Sequence, residues 1–139
     1  MTRLLPALVV VGLLAACTAP RSITVEWGVD LPASLRSDGV IGESGPGAAW
    51  KGEDRQSLVV VLYGSSSCAP TPVDLTVDGP GLLAVEFAQN LADACTSDLA
   101  ANTYRFETPE GVDADGDVDL EITVREIEGT STVRVRVLD

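Results

Sequence analysis

The chain has 139 residues, a formal net charge of −12, a hydrophobic fraction of 45% and a charged fraction of 22%. These values are typical of one ordinary globular domain, and so acidic a chain argues against binding to the phosphates of nucleic acid. Histidine is absent. Its absence excludes Ser-His-Asp and Cys-His catalysis and removes the usual ligand of zinc, copper and haem.

The N-terminus has the layout of a secretory signal. The basic residue Arg3 precedes an uncharged apolar run at residues 4–13. That run is too short to cross a bilayer, which needs about 20 apolar residues.

Small residues lead directly from this run into a cysteine, in the order Leu14, Ala15, Ala16, Cys17. These four residues resemble the lipobox of bacterial lipoproteins. The resemblance implies cleavage after Ala16 and thioether attachment of a diacylglyceryl group to Cys17, with acyl chains such as palmitate. A plain signal peptide with an incidental cysteine is the alternative.

The predicted organisation has three parts. Residues 1–16 form the lipoprotein signal peptide, and residues 17–22 form a lipidated tether that Pro20 keeps out of regular structure. Residues 23–139 form a single domain. Its expected location is the extracytoplasmic face of the cell membrane, held there by the lipid.

The first predicted strand spans residues 23–29, where apolar and polar residues alternate and Trp27 shares the apolar face. Residues 30–56 are rich in Gly, Ser, Asp and Pro, which predicts a long loop with one short strand around Trp50. The continuous apolar run at residues 58–63 predicts a central strand covered on both faces.

Alternation continues at residues 73–77, and Asp78 to Gly81 supplies a turn. The following segment, residues 82–95, is ambiguous because Leu83, Phe87 and Leu91 also have helical spacing. The preceding turn favours a strand, with a helix as the alternative. A further strand is predicted around Tyr104 and Phe106.

The C-terminal residues predict a hairpin. With Glu128-Gly129 as a two-residue turn, Val124 faces Val133 and Glu121 faces Arg136. Together the segments predict an all-β domain, an antiparallel β-sandwich of about seven strands with an immunoglobulin-like layout.

Cys68 and Cys95 remain once Cys17 is assigned to lipid. In an oxidising compartment such a pair predicts a disulfide. The alternative is a redox thiol, because a strand, a polar loop and Cys68-Ala69-Pro70 resemble the nucleophile position of thioredoxin-like proteins. Thr71 stands where that family has its second cysteine. Residues 57–72, which contain Gly-Ser-Ser-Ser-Cys-Ala-Pro, also resemble a segment of small, uncharacterised actinobacterial lipoproteins, which implies no activity.

An acidic segment contains Asp113, Asp115 and Asp117 at alternate positions. Oxygen ligands at this spacing suggest a weak Ca²⁺ site. The EF-hand pattern fails, however, because Val118 and Val124 occupy the positions of its glycine and its bidentate glutamate. A solvated turn is therefore the preferred interpretation.

The expected function is a non-catalytic binding or structural role in the cell envelope, with no cofactor. The expected partners are the membrane, through covalent lipid, and a protein of the envelope. The alternatives are a thiol- or metal-dependent envelope enzyme, or a weakly Ca²⁺-binding accessory subunit of a larger complex.

Overall fold

The computed structural model describes residues 23–36 and 45–139. The predicted signal peptide at residues 1–16, the tether at 17–22 and its Cys17 lie outside the described residues. Within the described ranges, no helix has both the length and the apolar character needed to span a membrane.

The described residues form eight strands and one short 3₁₀ turn, Ala33–Leu35. The strands are β1 Val25–Trp27, β2 Gly47–Lys51, β3 Ser57–Gly64, β4 Thr71–Gly79, β5 Leu82–Ala88, β6 Ala100–Glu107, β7 Asp119–Glu126 and β8 Gly129–Leu138. The predicted all-β class is confirmed, with short strands at Trp50 and around Tyr104 where the sequence places them.

The strands join in a single sheet of order β1-β6-β3-β2-β8-β7-β5-β4, curled until it is nearly barrel-shaped. The β2–β8 and β5–β7 pairs are parallel, and all the others are antiparallel. The sheet is therefore mixed, whereas the sequence predicts antiparallel pairing throughout. We call β1, β6, β3 and β2 the first half-sheet, and β8, β7, β5 and β4 the second.

The core lies between the two half-sheets. The ring of Phe87 on β5 lies 4.9 Å from that of Tyr104 and 6.4 Å from that of Phe106, both on β6. All three side chains are fully buried. Because β5 and β6 belong to opposite halves, these aromatic contacts hold the curled sheet together.

Strand β3 is buried on both faces, as its apolar run predicts. Every residue from Leu58 to Leu62 is buried. Leu35 of the 3₁₀ turn covers the side away from the core. A Cβ at Gly47 would lie 2.9 Å from a Leu35 methyl and 3.4 Å from Val61. A larger residue at position 47 would therefore require the Leu35 side chain to shift.

The ambiguous segment at residues 82–95 begins as a strand. Leu83, Val85 and Phe87 of β5 are buried, while the residues between them are partly exposed. The predicted strand is confirmed there, and β5 ends at Ala88. Leu91, the third residue of the helical pattern, is 67% exposed.

Trp27 is less buried than its place on an apolar face predicts. Strand β1 covers only Val25–Trp27 of the predicted residues 23–29. The Trp27 side chain is 48% exposed and rests edge-on against Tyr104, with ring centroids 5.1 Å apart. The other tryptophan, Trp50 on β2, is buried.

The predicted β7–β8 hairpin forms, but its predicted register is wrong by two residues. Glu126 pairs with Gly129, so the turn is Ile127-Glu128, and Val124 lies opposite Ser131 rather than Val133. A shift of two residues keeps every side chain on its face of the sheet, so apolar alternation does not distinguish the two registers.

Charge pairing does distinguish them. In the observed register Glu121 faces Arg134 at 3.0 Å, and Asp119 faces Arg136 at 2.7 Å. The predicted register would have formed only one such pair, Glu121 with Arg136. Cross-strand pairs of opposite charge stabilise a hairpin, so two are preferred to one.

Replacement of Phe87 by alanine should destabilise the fold strongly, because it removes the ring that joins the half-sheets. We expect the free energy of unfolding to fall by about 3–5 kcal/mol in urea denaturation. The exposed Leu91→Ala is the control, with an expected change within about 0.5 kcal/mol. Equal effects of the two substitutions would contradict the packing of the Phe87 ring between the two half-sheets.

Candidate functional site

Cys68 and Cys95 lie at bonding distance, as predicted, with an S–S distance of 2.02 Å and a Cα–Cα distance of 5.5 Å. Cys68 belongs to the connection from β3 to β4, and Cys95 to the connection from β5 to β6. Both connections cross between the half-sheets, so the disulfide ties the two crossings together at one end of the molecule. In this state neither sulfur is a free thiol.

A hydroxyl cluster adjoins the disulfide. Its members are Ser65, Ser66, Ser67, Thr96 and Asp98. The Thr96 Oγ1 lies 2.9 Å from Ser65 Oγ, 3.3 Å from Ser66 Oγ and 3.2 Å from Ser67 Oγ. The backbone N–H of Thr96 donates to Ser67 Oγ at 2.9 Å. The two crossing connections are thus joined by hydrogen bonds as well as by sulfur.

Asp98 is the charged member of the cluster. Its carboxylate accepts hydrogen bonds from the Thr96 hydroxyl and, at 3.1 Å, from the backbone N–H of Ser66. Hydrogen bonds from Ser66 and Thr96 lower the pKa of Asp98 to about 2. Bonds to the ionised form favour that form, so Asp98 stays negative throughout the physiological range.

This arrangement is poorly suited to nucleophilic catalysis by the serines. A general base works best with a pKa near the operating pH, and the pKa of Asp98 moves in the opposite direction. Hydrogen bonds from Ser66 and Thr96 hold this carboxylate in its ionised, weakly basic form. The cluster therefore acts chemically as a fixed set of hydrogen-bonding groups beside the disulfide.

Buried groups anchor the same end of the fold. The Tyr104 hydroxyl donates to the carbonyl of Pro70 at 2.7 Å, and burial raises the pKa of Tyr104 to about 12. The side-chain amide of Asn102 donates to the carbonyl of Ser65 at 3.3 Å. Both contacts fix the β3–β4 connection against β6.

Sequence reasoning identifies the serine run only as a polar turn and misses Thr96 and Asp98. The two loops that meet here lie about 30 residues apart in the sequence, and no local pattern links them. The predicted disulfide was the only available signal, because it brings Thr96 next to the residues that precede Cys68.

The structure does not bring the three candidate calcium ligands together. Asp115 pairs with Arg55 at 3.5 Å, and Asp117 pairs with Arg136 at 3.0 Å. Asp113 instead lies against Gly116 within its own turn. Among residues 23–36 and 45–139, no three metal-ligating side chains converge. Two of the three carboxylates therefore have arginine partners rather than a shared site.

Arg55 organises the end opposite the disulfide. It lies in the β2–β3 turn with a backbone φ of 50°. Residues other than glycine rarely adopt this left-handed region. Its guanidinium donates to the carbonyl of Ala114 and pairs with Asp115 and, at 2.7 Å, with Asp139. One cation thus joins this turn, the acidic segment and the residue after β8.

Comparison of the chain with protein-family models, with curated proteins and with solved structures gives no match.

Removal of the disulfide should weaken the fold without abolishing the β class. For the double variant Cys68→Ser, Cys95→Ser we expect a loss of about 3.5 kcal/mol in urea denaturation, since the cross-link restricts the unfolded chain. Wild-type protein treated with a reductant should match the variant. Unchanged stability in both would contradict the structural role of the bridge.

Asp98 should give the stability a dependence on acid pH. Its pKa is lowered in the folded state, so its contribution is present above the unfolded value of 3.8 and is lost as pH falls through about 2. Wild type should therefore exceed Asp98→Asn in melting temperature at pH 6, and the difference should shrink toward pH 2. Asp93→Asn, in the same loop but outside the cluster, is the control. A difference that is independent of pH would contradict the assignment.

Proposed function

We propose that the protein is a lipid-anchored, extracytoplasmic membrane lipoprotein with a non-catalytic binding or structural role in the cell envelope. The observation that carries this proposal is the pairing of Cys68 with Cys95. The sequence has three cysteines, and this pair leaves Cys17 as the one free for lipid. A disulfide is also typical of an oxidising, extracytoplasmic compartment.

Charge supports a lipid anchor over adsorption to the membrane. A protein with a net charge of −12 is repelled by anionic lipid headgroups. A diacylglyceryl group needs no such attraction, because two acyl chains anchor a protein stably.

The position of Ile23 suggests an orientation. It lies beside Glu107 and Thr108, at the end of the molecule that contains Arg55, since Thr108 bonds to the backbone of Arg55 and Gln56. A tether of residues 17–22 would reach roughly 20 Å when extended. In this arrangement the Arg55 end lies near the membrane, and the disulfide with its hydroxyl cluster faces away.

We also propose that the two packed halves correspond to a sandwich of immunoglobulin-like layout, a scaffold that presents loops at its ends. The contacts of Phe87 with Tyr104 and Phe106 support the packing of the two halves. We propose that the exposed surfaces of such a scaffold bind an envelope protein.

Lipid attachment is tested by labelling bacterial cells that express the full-length chain with a palmitate analogue. We expect label on the wild-type protein and its recovery with membranes. Cys17→Ser should lose the label and leave the membrane fraction, whereas the control Cys68→Ser should keep the label. An unlabelled wild type, or label that persists in Cys17→Ser, would contradict the anchor.

A further inference from the structure

The curled sheet has two edge strands with a cleft near them. Strands β1 and β4 are the first and last strands of the sheet, and each has one strand neighbour among the described residues. Near these two edges is a cleft of about 330 Å³, lined by residues 23–24 directly before β1, by Asp74 and Leu75 of β4, and by residues 107–110 at and after the end of β6. This volume falls at the lower end of the range for binding clefts. We call this cleft the seam.

The β4 side of the seam carries a backbone donor without a strand partner. The N–H of Leu75 donates to the carboxylate of the preceding Asp74 at 2.9 Å. Residues of an antiparallel strand point their N–H and C=O groups alternately to either side. The backbone N–H and C=O groups of Leu75 and Val77 therefore point away from β5, toward the seam. The Asp74 carboxylate accepts the hydrogen bond from the Leu75 N–H.

The regular part of this edge is short. Register shifts occur on both sides of it, between Pro72 and Asp74 and between Val77 and Gly79. Proline and bulges are features that protect sheet edges from indiscriminate pairing. The stretch from Asp74 to Val77 is thus the part of β4 that retains a regular edge.

Side chains of the seam combine apolar walls with negative charge. Ile23 and Leu75 line it and pack against the core. The carboxylates of Asp74, Glu107 and Glu110 line it as well, and none of its lining residues within the described ranges is basic. The ion pairs of the described residues use other acids.

We propose that the seam binds an extended, basic segment of a partner protein, which adds as a short strand to the Asp74–Val77 edge of β4. A carbonyl of the segment would take the N–H of Leu75 in place of the Asp74 carboxylate. That carboxylate, with Glu107 and Glu110, then pairs with lysine or arginine of the segment. Backbone pairing of this kind gives affinity, and alternate side chains give specificity.

The negative net charge of the chain favours a basic partner over a second copy of the chain. A second copy of this chain would bring further negative charge to the seam, whereas a lysine- or arginine-containing segment is complementary to it. The inference deepens the proposed binding role by naming the class of partner. It rests on that role and is independent of lipid attachment, because the binding measurement does not involve Cys17.

The test is fluorescence anisotropy with a short labelled peptide that alternates lysine with valine, titrated with the full-length chain in non-ionic detergent. We expect saturable binding that weakens with salt. A peptide of the same sequence with alternate backbone amides N-methylated should bind at least about tenfold more weakly, a difference of about 1.4 kcal/mol, because it keeps the charge and loses strand pairing.

Two charge-matched variants locate the site. The triple variant Asp74→Asn, Glu107→Gln, Glu110→Gln should lose about tenfold in affinity, and Asn at position 74 still offers an acceptor to Leu75. The control triple variant Asp93→Asn, Glu126→Gln, Glu128→Gln removes the same charge near the disulfide end and should bind as wild type does. Circular dichroism confirms that both variants are folded.

Three results would overturn the proposal. They are the absence of peptide binding, equal binding of the N-methylated peptide, and equal losses in the two triple variants. A dimer in sedimentation that disappears in the seam variant would assign the seam to a second copy instead. Failure of palmitate labelling together with normal peptide binding would contradict the lipid anchor and support peptide binding at the seam.

Discussion

The packing of Phe87 against Tyr104 and Phe106 is the contact on which the fold depends. Among the described residues, the strands of the two half-sheets pair with each other only between β2 and β8, where Ala48 faces Val137 and Ala49 faces Leu138. So short a parallel pairing is a weak joint. The aromatic contact across the core, together with the buried apolar residues of both halves, keeps the curled sheet closed.

Each end of the molecule reinforces this closure differently. At one end the disulfide and the hydroxyl cluster tie the two crossing connections together. At the other end the Arg55 guanidinium joins three segments through a carbonyl and two carboxylates. The seam between β1 and β4 has neither device along its length. At the seam, the outer backbone groups of the edge strands have no strand partner among the described residues.

Much of the fold could be predicted from the sequence, because strands with one buried face leave an alternating pattern. The burial of β3 on both faces and the strand at Leu83, Val85 and Phe87 are examples. The parallel β2–β8 and β5–β7 pairs could not be predicted, since pairing between distant strands leaves no local pattern. The predicted hairpin register was wrong because a shift of two residues preserves alternation. Only the number of opposite-charge pairs, two in the observed register and one in the predicted register, distinguishes them.

The candidate sites were predictable to a smaller extent. The pairing of Cys68 with Cys95 followed from the number of cysteines and the expected compartment. The carboxylates of Asp113, Asp115 and Asp117 do not converge, because arginines distant in sequence pair with Asp115 and Asp117. Asp98 and the seam were missed for the same reason, since both depend on segments that meet only in the folded chain.

Amide hydrogen exchange followed by NMR distinguishes a curled sheet with an open seam from a sheet that is closed by strand pairing. We expect the amides of β3, in the middle of the first half-sheet, to exchange slowest. The amide of Leu75 should exchange much faster than that of its neighbour Thr76, which faces β5. Protection of Leu75 equal to that of β3 would show that the seam is closed by strand pairing, and would contradict an open edge at β4.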